Sequence, residues 1–279
     1  MTNFKKNLVL ALASVTTIMS VVAPFGARAA DLPPSNATQG DWTVSTLARN
    51  TADWKIESYK LDKGLVAWTE LNTAGTKRRL YAFDSVTTKL LAEMPSTEWS
   101  GDTSGFVEAV KGDYDVADGT VAWEMNDGHD REIYSWNGDA VTKVSDNSYD
   151  DRHPVVGQGR IAWTSQPSAS GAYNLMVKDA NGVKRLASWQ VSNYAFSGKT
   201  LFWLNKNYGE NWFRVFRNDG FYTTAVGQGD DRPMAKYFIT DDKGSAAWEY
   251  STKNWSYDKR IIYVSTLGAQ AFQLLQRDV

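Results

Sequence analysis

YDVADGTVAWEMNDGHDREIYSWNGDAVTKV, residues 114–144, is the stretch on which the fold turns. Tyr114-Asp115-Val116 and Val121-Ala122-Trp123 are short apolar runs, too brief for helices. Glu132-Ile133-Tyr134-Ser135-Trp136 alternates with a period of two, the mark of a half-buried strand. Asn137-Gly138 follows as a tight hairpin turn, where glycine tolerates positive φ. Val141-Thr142-Lys143-Val144 then closes the unit as a shorter outer strand. This stretch reads as one sheet of four short strands.

The same unit recurs along the chain. An apolar pair ending in Trp appears five times, at Trp68, Trp123, Trp163, Trp203 and Trp248, with spacings of 55, 40, 40 and 45 residues. Each copy precedes a second alternating strand, as in Arg79-Leu80-Tyr81-Ala82-Phe83 and Phe213-Arg214-Val215-Phe216. Turns with Gly come next, at Asn181-Gly182, Asp219-Gly220 and Leu267-Gly268. A leading strand stands before each Trp motif, such as Pro154-Val155-Val156, joined to it through a turn such as Gly157-Gln158-Gly159.

Four strands per unit of about 40–50 residues is the signature of a propeller blade. A blade cannot bury both faces alone, so neighbours must stack. A β-sandwich would not repeat one Trp strand five times, and a helical solenoid would show a period of 3.6. The fold is therefore predicted to be all-β, a β-propeller of about five four-stranded blades, with six left open. Blade cores are expected near residues 54–91, 114–144, 154–186, 194–225 and 237–275 of a single domain over 30–279. Trp42 to Leu47 reads as an outer strand that could latch the ring, and residues 92–112 are long for a connection. The five repeat tryptophans are assigned to packing between blades.

Residues 1–29 read as a signal peptide: Lys5 and Lys6, an apolar stretch from Leu8 to Val22, then Ala27-Arg28-Ala29 as a cleavage site. The chain beyond it is expected to be exported, to the periplasm or the extracellular space, as a monomer. The sequence has no cysteine, so core burial must hold it together. The formal charge of −2 becomes about −5 once Lys5, Lys6 and Arg28 are set aside. With scattered basic residues, nucleic acid is not an expected partner. No segment after the leader is apolar enough to span a bilayer.

The run from Val121-Ala122-Trp123 to Ser145-Asp146-Asn147-Ser148-Tyr149-Asp150-Asp151-Arg152-His153-Pro154 resembles the WD40-like repeats of TolB-type bacterial β-propellers. Members of that group often carry Asp-x-x-Pro leading into the innermost strand, matched here by Asp151-Arg152-His153-Pro154 and Asp230-Asp231-Arg232-Pro233. The resemblance implies a propeller and a binding role rather than an activity. The separate α/β domain that precedes the propeller in TolB has no counterpart here, so the role of TolB at the outer membrane does not carry over.

Only His129 and His153 are present, with no Cys, so thiol catalysis is excluded and neither a metal site nor a cofactor is expected. No zinc-protease motif, nucleophile elbow or phosphate loop occurs. Acidic clusters remain. The loops after the Trp strands and between blades are expected to share a face bearing Asp127, Asp130, Asp146, Asp150, Asp151, Glu210, Asp230 and Asp231. These carboxylates could bind a cation, act as an acid/base pair on a glycoside, or simply cap turns. Trp99, Tyr149, Trp189, Tyr208, Trp212, Trp255 and Tyr257 fall in predicted loops, where aromatic plates grip sugar rings or partner side chains, or cover blade edges.

The leading expectation is a non-catalytic module of the bacterial envelope or extracellular space that binds a protein or envelope component through this face. The candidate ligand-binding set is Asp127, Asp130, Tyr149, Asp150, Asp151, Tyr208, Trp212, Asp230, Asp231 and Trp255. The alternative is a glycan-binding or glycan-active propeller. An enzyme of this kind would be a carboxylate-dependent glycoside hydrolase or lyase. A purely structural surface protein is the third reading.

Overall fold

The computed structural model of the protein describes residues 37–39, 42–44, 46–99, 113–167, 173–206, 214–228, 238–254, 257–266 and 272–278. The chain divides into two compact units, Met1–Glu98 and Trp99–Val279.

The first unit holds the hairpin of β1 (Ala37–Gln39) and β2 (Trp42–Val44), then β3 (Trp54–Asp62), β4 (Leu65–Asn72), β5 (Lys77–Phe83) and β6 (Thr88–Pro95). These last four form one antiparallel sheet in chain order. The expected latch at Trp42 to Leu47 is corrected: β2 pairs with β1 in a separate two-stranded sheet. Only Gly40 and Asp41 separate the two strands, so local closure costs far less entropy than a distant pairing. After β6 a short 3-10 turn covers Ser96–Trp99, and residues 100–112 of the long connection lie outside the described residues.

The second unit contains four more sheets of the same design. They are β7 (Tyr114–Ala117), β8 (Thr120–Asn126), β9 (Arg131–Trp136) and β10 (Val141–Lys143); β11 (Asp150–Gly157), β12 (Arg160–Gln166), β13 (Asn174–Asp179) and β14 (Gly182–Ala187); β15 (Gln190–Ser197), β16 (Thr200–Lys206), β17 (Arg214–Asn218) and β18 (Thr223–Gln228); and β19 (Phe238–Thr240), β20 (Ala246–Asn254), β21 (Tyr257–Ser265) and β22 (Phe272–Asp278). Every sheet is an antiparallel meander in sequence order. The first strands of successive sheets run side by side, β11 beside β7 and β15, and β15 beside β19. The fold is all-β and of the propeller class, with five four-stranded blades described.

Local chemistry sets these meanders. Asp118 (φ 48°) and Gly119 (φ 76°) form a two-residue turn between Ala117 and Thr120. Positive φ at both central residues matches the right-handed twist of the flanking strands. Lys63 and Gly64 repeat the device between β3 and β4.

Each repeat Trp sits on the second strand of its sheet and is at most 4% exposed. Its cross-strand partner on the third strand is Tyr81, Tyr134, Met176, Phe216 or Tyr263 in turn. The four aromatic partners stack on it, with ring centroids 5.3, 6.0, 5.6 and 5.9 Å apart. Such pairs add about 0.5–1.5 kcal/mol beyond their buried area. In the second unit the same tryptophans also pack against the preceding sheet. Trp163 joins Ala122, Ile133 and Val144; Trp203 joins Ala162, Leu175 and Val177; Trp248 joins Phe202, Leu204 and Val215. In these three repeats one residue thus ties its own sheet together and closes the core against the preceding sheet.

Candidate functional site

The site lies in the second unit, where the Trp strand of the 114–143 sheet meets the leading strand of the next. Asp127, in the β8–β9 turn, accepts the Lys143 ammonium at 2.8 Å and the amides of His129 and Asp130 at 2.9 and 3.3 Å. The Lys143 hydrogen bond, helped by those amides, holds its carboxyl down at about 2. Lys143 also donates to Asp146 at 2.5 Å and lies 3.7 Å from buried Glu132. A lysine ammonium therefore occupies the centre of the Asp127–Glu132–Asp146 trio and meets its need for a cation. Asp130 is half-buried in the same turn.

Asp150 accepts the Arg131 amide at 3.1 Å and the Arg152 guanidinium at 2.7 Å. Burial opposes its charge, but the Arg152 bond prevails and its carboxyl titrates below the ordinary range. Asp151, placed on a loop face from the sequence, is corrected: it is 0% exposed within β11. Strand alternation turns it inward, opposite Ser165, where Asn147 donates to it at 2.8 Å. Burial raises its carboxyl above the ordinary value. Tyr149 is 42% exposed just before β11. Tyr208, Glu210, Trp212, Asp230, Asp231 and Trp255 lie outside the described residues.

Register shows a pattern that residue counting hides. Ile56, Asp151 and Val191 face Glu70, Ser165 and Asn205, each two residues past its repeat Trp. Two residues before them stand Trp54, Tyr149 and Trp189, an aromatic at one position of three sheets. Trp189 is 42% exposed, like Tyr149. Trp54 carries the Arg79 guanidinium 3.7 Å above its ring.

Two residues that sequence reasoning did not select complete the site. Glu124, on β8, is 2% exposed and accepts the His153 backbone amide at 2.8 Å. Burial, reinforced by the charge of Asp113, pushes its carboxyl up to about 8. His153 is 6% exposed at a bulge in β11, with φ 56° and its Nδ1 3.9 Å from Glu124 Oε2. Tyr194 of the next sheet donates to the His153 carbonyl. Arg131 Nε stands 3.9 Å from Glu124 Oε1. One donor atom each from Asp113, Glu124 and His153 lies within 4.8 Å of the others. The residue after each Trp is Thr69, Glu124, Thr164, Leu204 and Glu249, so two of the five repeats carry a carboxylate there, and the repeat by itself does not single out Glu124.

Fold and site together define a β-propeller-class protein with a polar junction between adjacent blades. Among solved structures, one from a study of two prolyl endopeptidases superposes with a TM-score of 0.51 at 11% identity, over 80% of this chain and 35% of that one. The β-propeller domain of the Trilobed protease from Pyrococcus furiosus superposes at 0.48 and 13% identity, over 79% and 69%. Uncomplexed acylaminoacyl peptidase from Pyrococcus horikoshii gives 0.48 and 9%, over 78% and 39%. The chain thus spans about a third of the length of that first endopeptidase structure, and the likeness is one of fold. No sequence family matches the chain, and no curated protein matches it.

Proposed function

We propose that the chain is an exported, non-catalytic binding module that engages a protein or envelope component through the loops preceding the leading strands. The repeats that resemble those of TolB-type propellers fit this role, as does the leader-like segment 1–29. The observation that carries the reading is the pair Tyr149 and Trp189. Both are 42% exposed at one register position of successive sheets. Rigid aromatic plates bring large contact area at small entropic cost, which suits recognition. The carboxylates beside them are engaged by Lys143, Arg152 and backbone amides, as scaffold groups are. Among the described residues, no helix is long and apolar enough to cross a membrane.

The repetition of an aromatic along successive sheets also favours a glycan as the bound component, since sugar rings stack on such plates. Affinity capture from an envelope fraction, run beside a glycan array, tests both readings. Wild type should retain a partner that the Tyr149→Ala/Trp189→Ala double variant loses while keeping its melting temperature. Equal capture by both proteins would sink the assignment to this face. Polysaccharide hydrolysis by the wild type would sink the non-catalytic reading.

A further inference from the structure

We infer that Asp113, Glu124 and His153 form a binding site for one first-row divalent transition cation, of which Zn²⁺ is the representative. The three donors come from different segments. Asp113 precedes β7, Glu124 is on β8, and His153 is at the bulge of β11 in the neighbouring sheet. Their donor atoms already lie within 4.8 Å of one another, and His153 Nδ1 is 3.9 Å from Glu124 Oε2. Bonds of roughly 2.0–2.2 Å around a tetrahedral ion place neighbouring donors about 3.4 Å apart. A contraction of about half an ångström is needed at the His153–Glu124 edge, and of at most about 1.4 Å at the edges to Asp113.

Three further observations point the same way. The first is position. At the register point of Glu124, the first, third and fourth sheets carry Thr69, Thr164 and Leu204 and the fifth carries Glu249, so the blade scaffold accepts neutral residues there. The Glu124 carboxylate is 2% exposed there, with Arg131 Nε and His153 Nδ1 each 3.9 Å from one of its oxygens. The second is the contrast with the neighbouring trio. There Lys143 supplies the positive charge among Asp127, Glu132 and Asp146. Here the third member is an imidazole, which offers a lone pair instead of a charge when neutral. Arg152 is bonded to Asp150, and Arg131 stands 3.9 Å from Glu124.

The third observation is donor chemistry. One imidazole with two carboxylates is a nitrogen–oxygen set that suits zinc-like ions over the all-oxygen shells of Ca²⁺ and Mg²⁺. Glu124 and His153 are buried and Asp113 is half-buried, so the protein donors lie inward. Three protein ligands leave at least one position for water or an oxygen of a bound molecule. No motif announced the site, because the ligands are separated by 11 and 29 residues and join only when the two sheets pack.

The test uses the full chain, stripped with EDTA and titrated with ZnCl₂, MnCl₂ and CaCl₂ by calorimetry and thermal denaturation. One Zn²⁺ per chain is expected, with Ca²⁺ at least tenfold weaker. A Zn²⁺ concentration a hundredfold above Kd should raise Tm by roughly 5–10 °C. Asp113→Asn, Glu124→Gln and His153→Ala should each weaken Zn²⁺ binding by at least about tenfold, as even loss of an outer-shell partner does. Asp127→Asn, at the lysine-filled trio, should leave it unchanged. Should the two buried variants fail to fold, half-buried Asp113→Asn carries the comparison. No Zn²⁺ binding by wild type, binding undiminished in Asp113→Asn, or a preference for Ca²⁺ would each overturn the assignment. The titrations involve no partner, so their failure leaves the binding-module reading standing.

Discussion

Replacing Gly157 by alanine should damage the junction between the second unit's second and third sheets far more than one methyl group suggests. A Cβ built at Gly157 lies 2.4 Å from both Cγ and Cδ1 of Phe196 and 2.8 Å from the Gly198 carbonyl oxygen. Ordinary contact needs about 3.5–4.0 Å, so the ring must retreat by more than an ångström. It is not free to do so. Phe196 packs on the cluster of Val191, Tyr194 and Trp203, and the Arg160 guanidinium lies 5.5 Å from its ring centroid. The Gly198 oxygen is backbone and accepts the Gln158 amide at 3.1 Å. Overpacking of this kind costs about 1–3 kcal/mol. Two simultaneous clashes, one with main chain, place Gly157→Ala near the upper end. Reduced freedom of the unfolded chain returns only about 0.4–1 kcal/mol.

A net loss of about 2 kcal/mol corresponds to a Tm drop of roughly 4–8 °C for a chain of this size. Thermal unfolding followed by circular dichroism measures it. Gly159→Ala is the control, since its φ of 66° is strained for alanine but no atom lies within 4 Å of the new Cβ. Its cost should be the conformational one alone, about 1–2 kcal/mol. Placing Gly157→Ala in a Phe196→Ala background should shrink the loss, because the Cγ and Cδ1 atoms it strikes are gone. A Gly157→Ala protein as stable as wild type, or a loss identical in both backgrounds, would refute the close approach.

Two further outcomes follow from the same packing. Asp127, held near 2 by Lys143 against an ordinary value of about 4, adds stability that is complete above pH 4 and disappears as pH falls through 2. Urea midpoints should therefore fall more steeply from pH 4 to 2 in wild type than in Asp127→Asn; parallel curves would contradict the ion pair. Arg160, 6% exposed, donates to the Lys199 carbonyl at 2.8 Å and to Asn218 through its carbonyl at 3.1 Å and its Oδ1 at 2.5 Å. Arg160→Ala strands those acceptors and should cost about 2–4 kcal/mol by chemical denaturation, with Arg160→Lys recovering only part. An alanine variant within 0.5 kcal/mol of wild type would show that the clamp contributes little.

The architecture was legible because a blade is a local object. Val121-Ala122-Trp123 and its four echoes, the alternating strands after them and the glycine turns are all set by neighbours within about 45 residues. The same local rules misled at Trp42 to Leu47, where a strand-like run says nothing about which sheet it joins. The candidate site was only half legible. Asp127 and Asp150 stand out in the sequence, yet their Lys143 and Arg152 partners turn them into scaffold.

By itself the sequence determined the period, the strand type and the Trp that each sheet buries, since these follow from side-chain alternation and turn chemistry. Only the register within each sheet decided that Asp151 faces inward and that Tyr149 and Trp189 share a register point, and only the packing of one sheet on the next decided that Glu124 meets His153 across 29 residues. Contacts across sheets depend on bulges and register shifts of single residues, which redirect a side chain from one face to the other and leave no periodic mark.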